Sequence, residues 1–78
     1  MAGDIYISAG TMSADLADAG YECWAATIDE VIVVATSTTE VLRGLHHTLG
    51  RLLGEEEGLP EPLRVRASLL RESVAASM

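Results

Sequence analysis

Residues 21–62, YECWAATIDEVIVVATSTTEVLRGLHHTLGRLLGEEEGLPEP, decide how this chain is read. Along 21–28, Tyr21, Cys23, Ala25 and Thr27 would occupy one face of an extended segment, and Glu22, Trp24, Ala26 and Ile28 the other. That pattern predicts a strand. Asp29-Glu30 is a two-residue connection, although it lacks the glycine that primed hairpin turns favour. Residues 31–36, Val-Ile-Val-Val-Ala-Thr, predict a further strand, apolar on both faces. Such a strand is either central in its sheet or buried between copies of the chain, which makes Val31 and Val33 the expected oligomer contacts.

Ser37-Thr38-Thr39-Glu40 then marks a helix start. In a capping box the Ser37 hydroxyl accepts from the amide of Glu40, and the Glu40 carboxylate reaches back to the amide of residue 37. Val41, Leu42, Leu45, Leu49, Leu52 and Leu53 follow on one stripe at helical spacing. Gly44 and Gly50 lie inside this helix, each costing about 1 kcal/mol relative to Ala, which implies close packing or a helix dependent on its docking. The Glu55–Glu57 run, Gly58 as a cap and Pro60 as a stop close it.

Outward from this stretch, Ile5, Ile7 and Ala9 alternate with Tyr6 and Ser8 as in a half-buried strand. Residues 13–20, small and acidic and ending in Gly20, predict a loop with at most one helical turn. Leu63, Val65, Ala67 and Leu69 alternate with Arg64, Arg66 and Ser68, while Leu63, Ala67, Leu70 and Val74 sit at helical spacing. The alternation favours a fourth strand over 63–69, with 71–78 a frayed or helical tail. The expected fold class is therefore α+β, a three- to four-stranded antiparallel sheet with one helix on one face, in the order β-β-β-α-β. The 78 residues make one domain.

The net charge is −7 and the five basic residues are all Arg. An acidic chain repels phosphate, so direct nucleic-acid binding is not expected, whereas a basic protein partner is. Cys23 is the single cysteine, which fits a reducing, cytoplasmic setting. Met1-Ala2-Gly3-Asp4 lacks the basic and apolar regions of a secretory leader, and no apolar run approaches the ~18 residues of a membrane span.

Chemistry-bearing residues are sparse. His46 and His47 are adjacent, so they cannot form the i, i+4 pair of a helical metal site; one borders the apolar stripe and the other faces solvent. Cys23 beside Trp24 reads as a small core residue. Asp15, Asp18, Asp29 and Glu30 do not match a calcium loop and read as a solvated rim. No Ser-His-Asp context, phosphate loop or Cys-x-x-Cys is present. Neither an enzyme nor a cofactor is expected.

Residues 21–62 resemble the core of HicB-like antitoxin domains. The resemblance rests on Tyr21-Glu22-Cys23-Trp24-Ala25, the 31–36 segment, the Ser37-to-Val41 helix start, the Leu45-to-Leu53 stripe and the exit Glu55-Glu56-Glu57-Gly58-Leu59-Pro60-Glu61-Pro62. It departs from the family pattern in the connection at 28–30, which has neither Pro nor Gly, and in Ala35-Thr36 where Gly-Asp is usual. The 16 residues after Pro62 are too few for the DNA-binding segment that many members carry. The resemblance implies a domain that masks a small basic RNase-type toxin. Asp29, Glu30, Glu55, Glu56 and Glu57 are the expected partner contacts. The alternatives are a small acidic phage-type inhibitor of a nucleic-acid-processing defence complex and a homo-oligomeric structural subunit. A homodimer or higher oligomer is compatible with each.

Overall fold

The computed structural model describes residues 2–78 and consists of four helices: α1 (Ala2–Asp18), α2 (Glu22–Val34), α3 (Thr38–Glu55) and α4 (Glu61–Ser77). Met1, part of the opening that lacks a leader's basic region, lies outside the described residues. No strand occurs among them. The β-β-β-α-β sheet is replaced by an all-helical bundle, and only the helix opened by Ser37 is where the sequence places it.

That helix starts as its cap requires. Ser37 is extended (φ −149°, ψ 160°) and its Oγ accepts from the Glu40 amide at 3.3 Å. The Glu40 carboxylate, however, accepts from the amide and hydroxyl of Thr36, at 2.9 and 3.0 Å, and not from the amide of residue 37. The reciprocal cap is thus shifted one residue outward. Val41, Leu42, Leu45, Leu49 and Leu52 are buried along α3.

In α2 the two expected strands and their turn form one continuous helix. Ala25 and Ile28, on opposite faces of the expected strand, are buried together three residues apart. Tyr21, Trp24, Val31, Ile32 and Ala35 pack partly against the same core. Tyr21, Ala25, Ile28, Ile32 and Ala35 therefore mark a helical stripe. β-Branched residues lose only tenths of a kcal/mol each in a helix, less than the burial of one large apolar side chain, and Asp29-Glu30 holds no residue that would turn the chain.

The first expected strand is likewise helical: Ile5, Ala9, Met12 and Leu16 are buried on one side of α1. The helix runs on through the expected loop and ends at a Schellman motif. There the Tyr21 amide donates to the Leu16 carbonyl at 2.8 Å and the Gly20 amide to the Ala17 carbonyl at 3.1 Å, with Gly20 at φ 93°. In α4 the helical spacing prevails over the alternation. Leu63, Ala67, Leu70 and Val74 are buried, while Val65 and Leu69, which the strand would bury, are exposed. Pro62 sits in the first turn, where a missing N–H is harmless, so Pro60-Glu61-Pro62 begins a helix as well as separating it from α3.

Each helix packs on its chain neighbours and α4 closes back on α1, forming a ring of four around an aliphatic core. The short connections make neighbours antiparallel. The α1–α2 and α3–α4 connections share one end, where the Tyr21 hydroxyl donates to the Gly58 carbonyl at 3.4 Å. The bundle measures 32 × 22 × 19 Å. A sheet-based HicB-like domain is incompatible with it, and the toxin–antitoxin reading falls with that fold. Cys23, expected in the core, is exposed on α2.

Two glycines test this backbone. A Cβ at Gly10, inside α1, or at Gly20 would meet nothing within 4 Å. Gly10→Ala is expected to raise stability by about 0.5–1 kcal/mol through helix propensity. Gly20→Ala should lower it by about 1 kcal/mol, because only Gly adopts a positive φ freely. Thermal unfolding of both variants should give shifts of opposite sign; equal signs would refute the Gly20 conformation.

Candidate functional site

Apolar side chains that find no cover within the chain gather at the last turns of α2. Val33 is 81% and Val34 66% exposed. The adjoining cleft between α2 and α3, about 420 Å³, is lined by Thr27, Val31, Val34, Ala35 and Gly44, with Glu30 and Glu40 on its rim. One wall of it is a close approach between the helices. A Cβ built at Gly44 would lie 2.6 Å from Cγ1 of Val31, so α3 meets α2 here through bare backbone. Gly44 and Val34 both line the cleft.

The rim is negatively charged. Hydrogen bonds from the Thr36 amide and then its hydroxyl, with Arg43 adding a smaller attraction, hold the Glu40 carboxyl below its ordinary value. Glu30 is exposed beside Val34, one helical turn earlier, and Asp29 stands in the same relation to Val33. Apolar floor and acidic rim thus come from one short stretch of α2 and the start of α3.

The five expected acidic contacts do not form one surface. Asp29 and Glu30 lie by the cleft, while Glu55, Glu56 and Glu57 lie where α3 ends, at the opposite end of the bundle. There the Glu55 and Glu56 carboxylates have partners within the chain. Glu55 pairs with Arg51 at 2.8 Å, a hydrogen bond that holds its carboxyl below the ordinary value. The Arg51 guanidinium lies 5.5 Å from the Trp24 ring centre, and Trp24 Nε1 donates to Glu56 at 3.0 Å. Arg64 donates to the carbonyls of Leu53, Glu56 and Glu57 at 3.3, 2.6 and 3.3 Å. It satisfies oxygens that a helix C-terminus leaves without partners. This cluster ties the start of α2 and the first turn of α4 to the end of α3.

Of the two expected oligomer contacts, Val31 is half-buried inside its own bundle against Gly44, and Val33 points outward. Val34, Ala35, Glu40 and Gly44 complete the cleft and were not singled out as contacts by the sequence. The signal that finds them is the helical period of α2, which brings Glu30 and Val34 onto one side. His46 is half-buried and His47 exposed. Asp15 pairs with Arg66 of α4. Among the described residues no group of three or more His, Cys, Asp or Glu could hold a metal ion, and no helix is long and apolar enough to cross a membrane. In comparisons with protein families, curated proteins and solved structures, nothing matches this chain.

Proposed function

We propose that this chain is a non-catalytic, cytoplasmic protein-interaction bundle that receives an amphipathic helix, flanked by Lys or Arg, in the α2–α3 cleft. The observation that carries this is the exposure of Val33 and Val34 beside a groove rimmed by Glu30 and Glu40. An apolar strip with polar borders is what a helix-in-groove partner fills. The charge selects the occupant. A second copy of this chain would bring its own Glu30 and Glu40 against theirs, whereas a cationic helix meets the rim favourably and is steered by a net charge of −7. The occupant is thus basic, as composition leads one to expect, but it is a helix and not a toxin.

The test uses two synthetic helical peptides sharing a Leu/Ala stripe, one flanked by Lys and the other by Glu, with binding read by fluorescence anisotropy. The Lys peptide is expected to bind, more weakly as salt rises, and the Glu peptide not to. Val34→Asp and Glu30→Lys should each weaken the complex about tenfold or more, a loss of ~1.4 kcal/mol. Equal binding of both peptides, or a Val34→Asp chain that binds like the parent, would sink the proposal.

A further inference from the structure

Across the ring from the α2–α3 cleft, the side formed by α1 and α4 has a different character. Ile7 is 71% and Leu69 57% exposed, and Val65, one turn before Leu69, is 46% exposed. Ile7 and Leu69 stand on either side of a shallow groove of about 280 Å³, whose polar lining is Ser8, Thr11, Ser73 and Arg66. Arg66 is already paired with Asp15. Asp4 is exposed at one end of this side, where it borders Ser8 and Ser73; beyond it the exposed α1 residues Tyr6, Ile7, Ser8, Gly10, Thr11 and Ala14 include no charged side chain.

In a chain of net charge −7, like-charge repulsion opposes self-association over most of the surface. The middle of the α1–α4 side, between Asp4 and the Asp15–Arg66 pair, is where two copies can meet with little of it. Its apolar walls suit a two-fold contact, because Ile7 and Leu69 flank one groove and both are exposed. A two-fold axis through this side would set each copy's Leu69 over the other's groove, the self-complementarity that an isologous interface needs. The available area is adequate. One side of a bundle 32 by 22 Å offers on the order of 700 Å², close to the ~800 Å² per partner of a standard interface. A domain this small also gains by burying more apolar surface than its own core allows.

We propose that the α1–α4 side is the contact between two copies of this chain, centred on Ile7 and Leu69, so that the dimer carries two α2–α3 clefts facing away from each other. This stands independently of what the clefts bind. Sedimentation equilibrium at high-micromolar concentration should give twice the 8.3 kDa of one chain. Leu69→Glu and Ile7→Glu should each raise the dimer dissociation constant ~30-fold or more, as removal of a central contact does. The milder Leu69→Ser should act in the same direction, with the helical circular dichroism of all three unchanged. Val33→Glu should leave the dimer intact. A parent chain that stays monomeric, or a dimer that survives Leu69→Glu and is lost with Val33→Glu, would overturn the assignment.

Discussion

Ile28→Ala is expected to destabilise the chain by about 2–5 kcal/mol, the usual loss when a buried Ile is truncated, whereas Val33→Ala should change stability by less than about 0.5 kcal/mol. Ile28 is fully buried and Val33 is 81% exposed. The comparison separates the two folds this sequence can suggest. If residues 31–36 formed a central strand, Val33 would be among the most buried side chains and its truncation would cost as much as that of Ile28. In the helix, Ala even has a slightly better propensity than Val. A chain of 78 residues has a total stability of roughly 4–12 kcal/mol. Ile28→Ala should therefore lower the midpoint of thermal unfolding by on the order of 10–30 °C. A large loss from Val33→Ala would refute the orientation of α2.

The physical reason α2 was legible only in part lies in the same residues. Ile28, Val31, Ile32, Val33 and Val34 are β-branched, and in isolation such a run favours a strand. What decides is which set of residues can be buried at once. At helical spacing, Tyr21, Trp24, Ala25, Ile28, Val31, Ile32 and Ala35 all reach the core. An alternation of period two that buried Val33 would give up both Ile28 and Ile32. The missing turn residue at Asp29-Glu30 was the local sign that the chain does not reverse there. In α1, Ile5 and Ala9 satisfy both periods, and it is Met12 and Leu16 that single out the helix. In α4, the Leu63, Ala67, Leu70 and Val74 spacing outlined the buried face correctly, while Val65 and Leu69 imitated a strand. α3 was legible because two independent signals agree, the Ser37 cap and the Leu stripe.

The candidate site was legible in composition more than in position. Asp29 and Glu30 do border an apolar patch. In the Glu55–Glu57 run, which is conspicuous in sequence, Glu55 pairs with Arg51 and Glu56 accepts from Trp24, while Arg64 holds the main-chain carbonyls of Glu56 and Glu57. A linear pattern shows that acidic residues are present, but long-range pairs such as Trp24 with Glu56 decide which remain free for a partner. Of the run's carboxylates, that of Glu56 joins α2 to the end of α3 through Trp24.

Gly44→Ala carries the second large expected effect, because it joins the fold to the cleft. Replacing a glycine inside a helix ordinarily gains about 1 kcal/mol. Here the new Cβ would lie 2.6 Å from Cγ1 and 3.3 Å from Cγ2 of Val31. Valine in a helix is held to one side-chain rotamer, so it cannot swing aside, and α2 must move away from α3. Overpacking of this kind typically costs 1–3 kcal/mol, leaving Gly44→Ala destabilised by up to about 2 kcal/mol once the propensity gain is included. Gly50 provides the contrast. A Cβ there would meet the guanidinium end of Arg71 at 3.3 Å, a flexible group that can shift. In a Val31→Ala background the obstruction at position 44 disappears, and the same Gly44→Ala change should become neutral or stabilising. Denaturant unfolding of the parent, both single variants and the double variant should thus give a favourable coupling of about 1–3 kcal/mol between the two positions. Additive effects, or a Gly44→Ala variant more stable than the parent, would show that α2 and α3 do not meet through Gly44. Gly44 and Val31 both line the α2–α3 cleft, so the shape of that wall of the cleft rests on the same close approach.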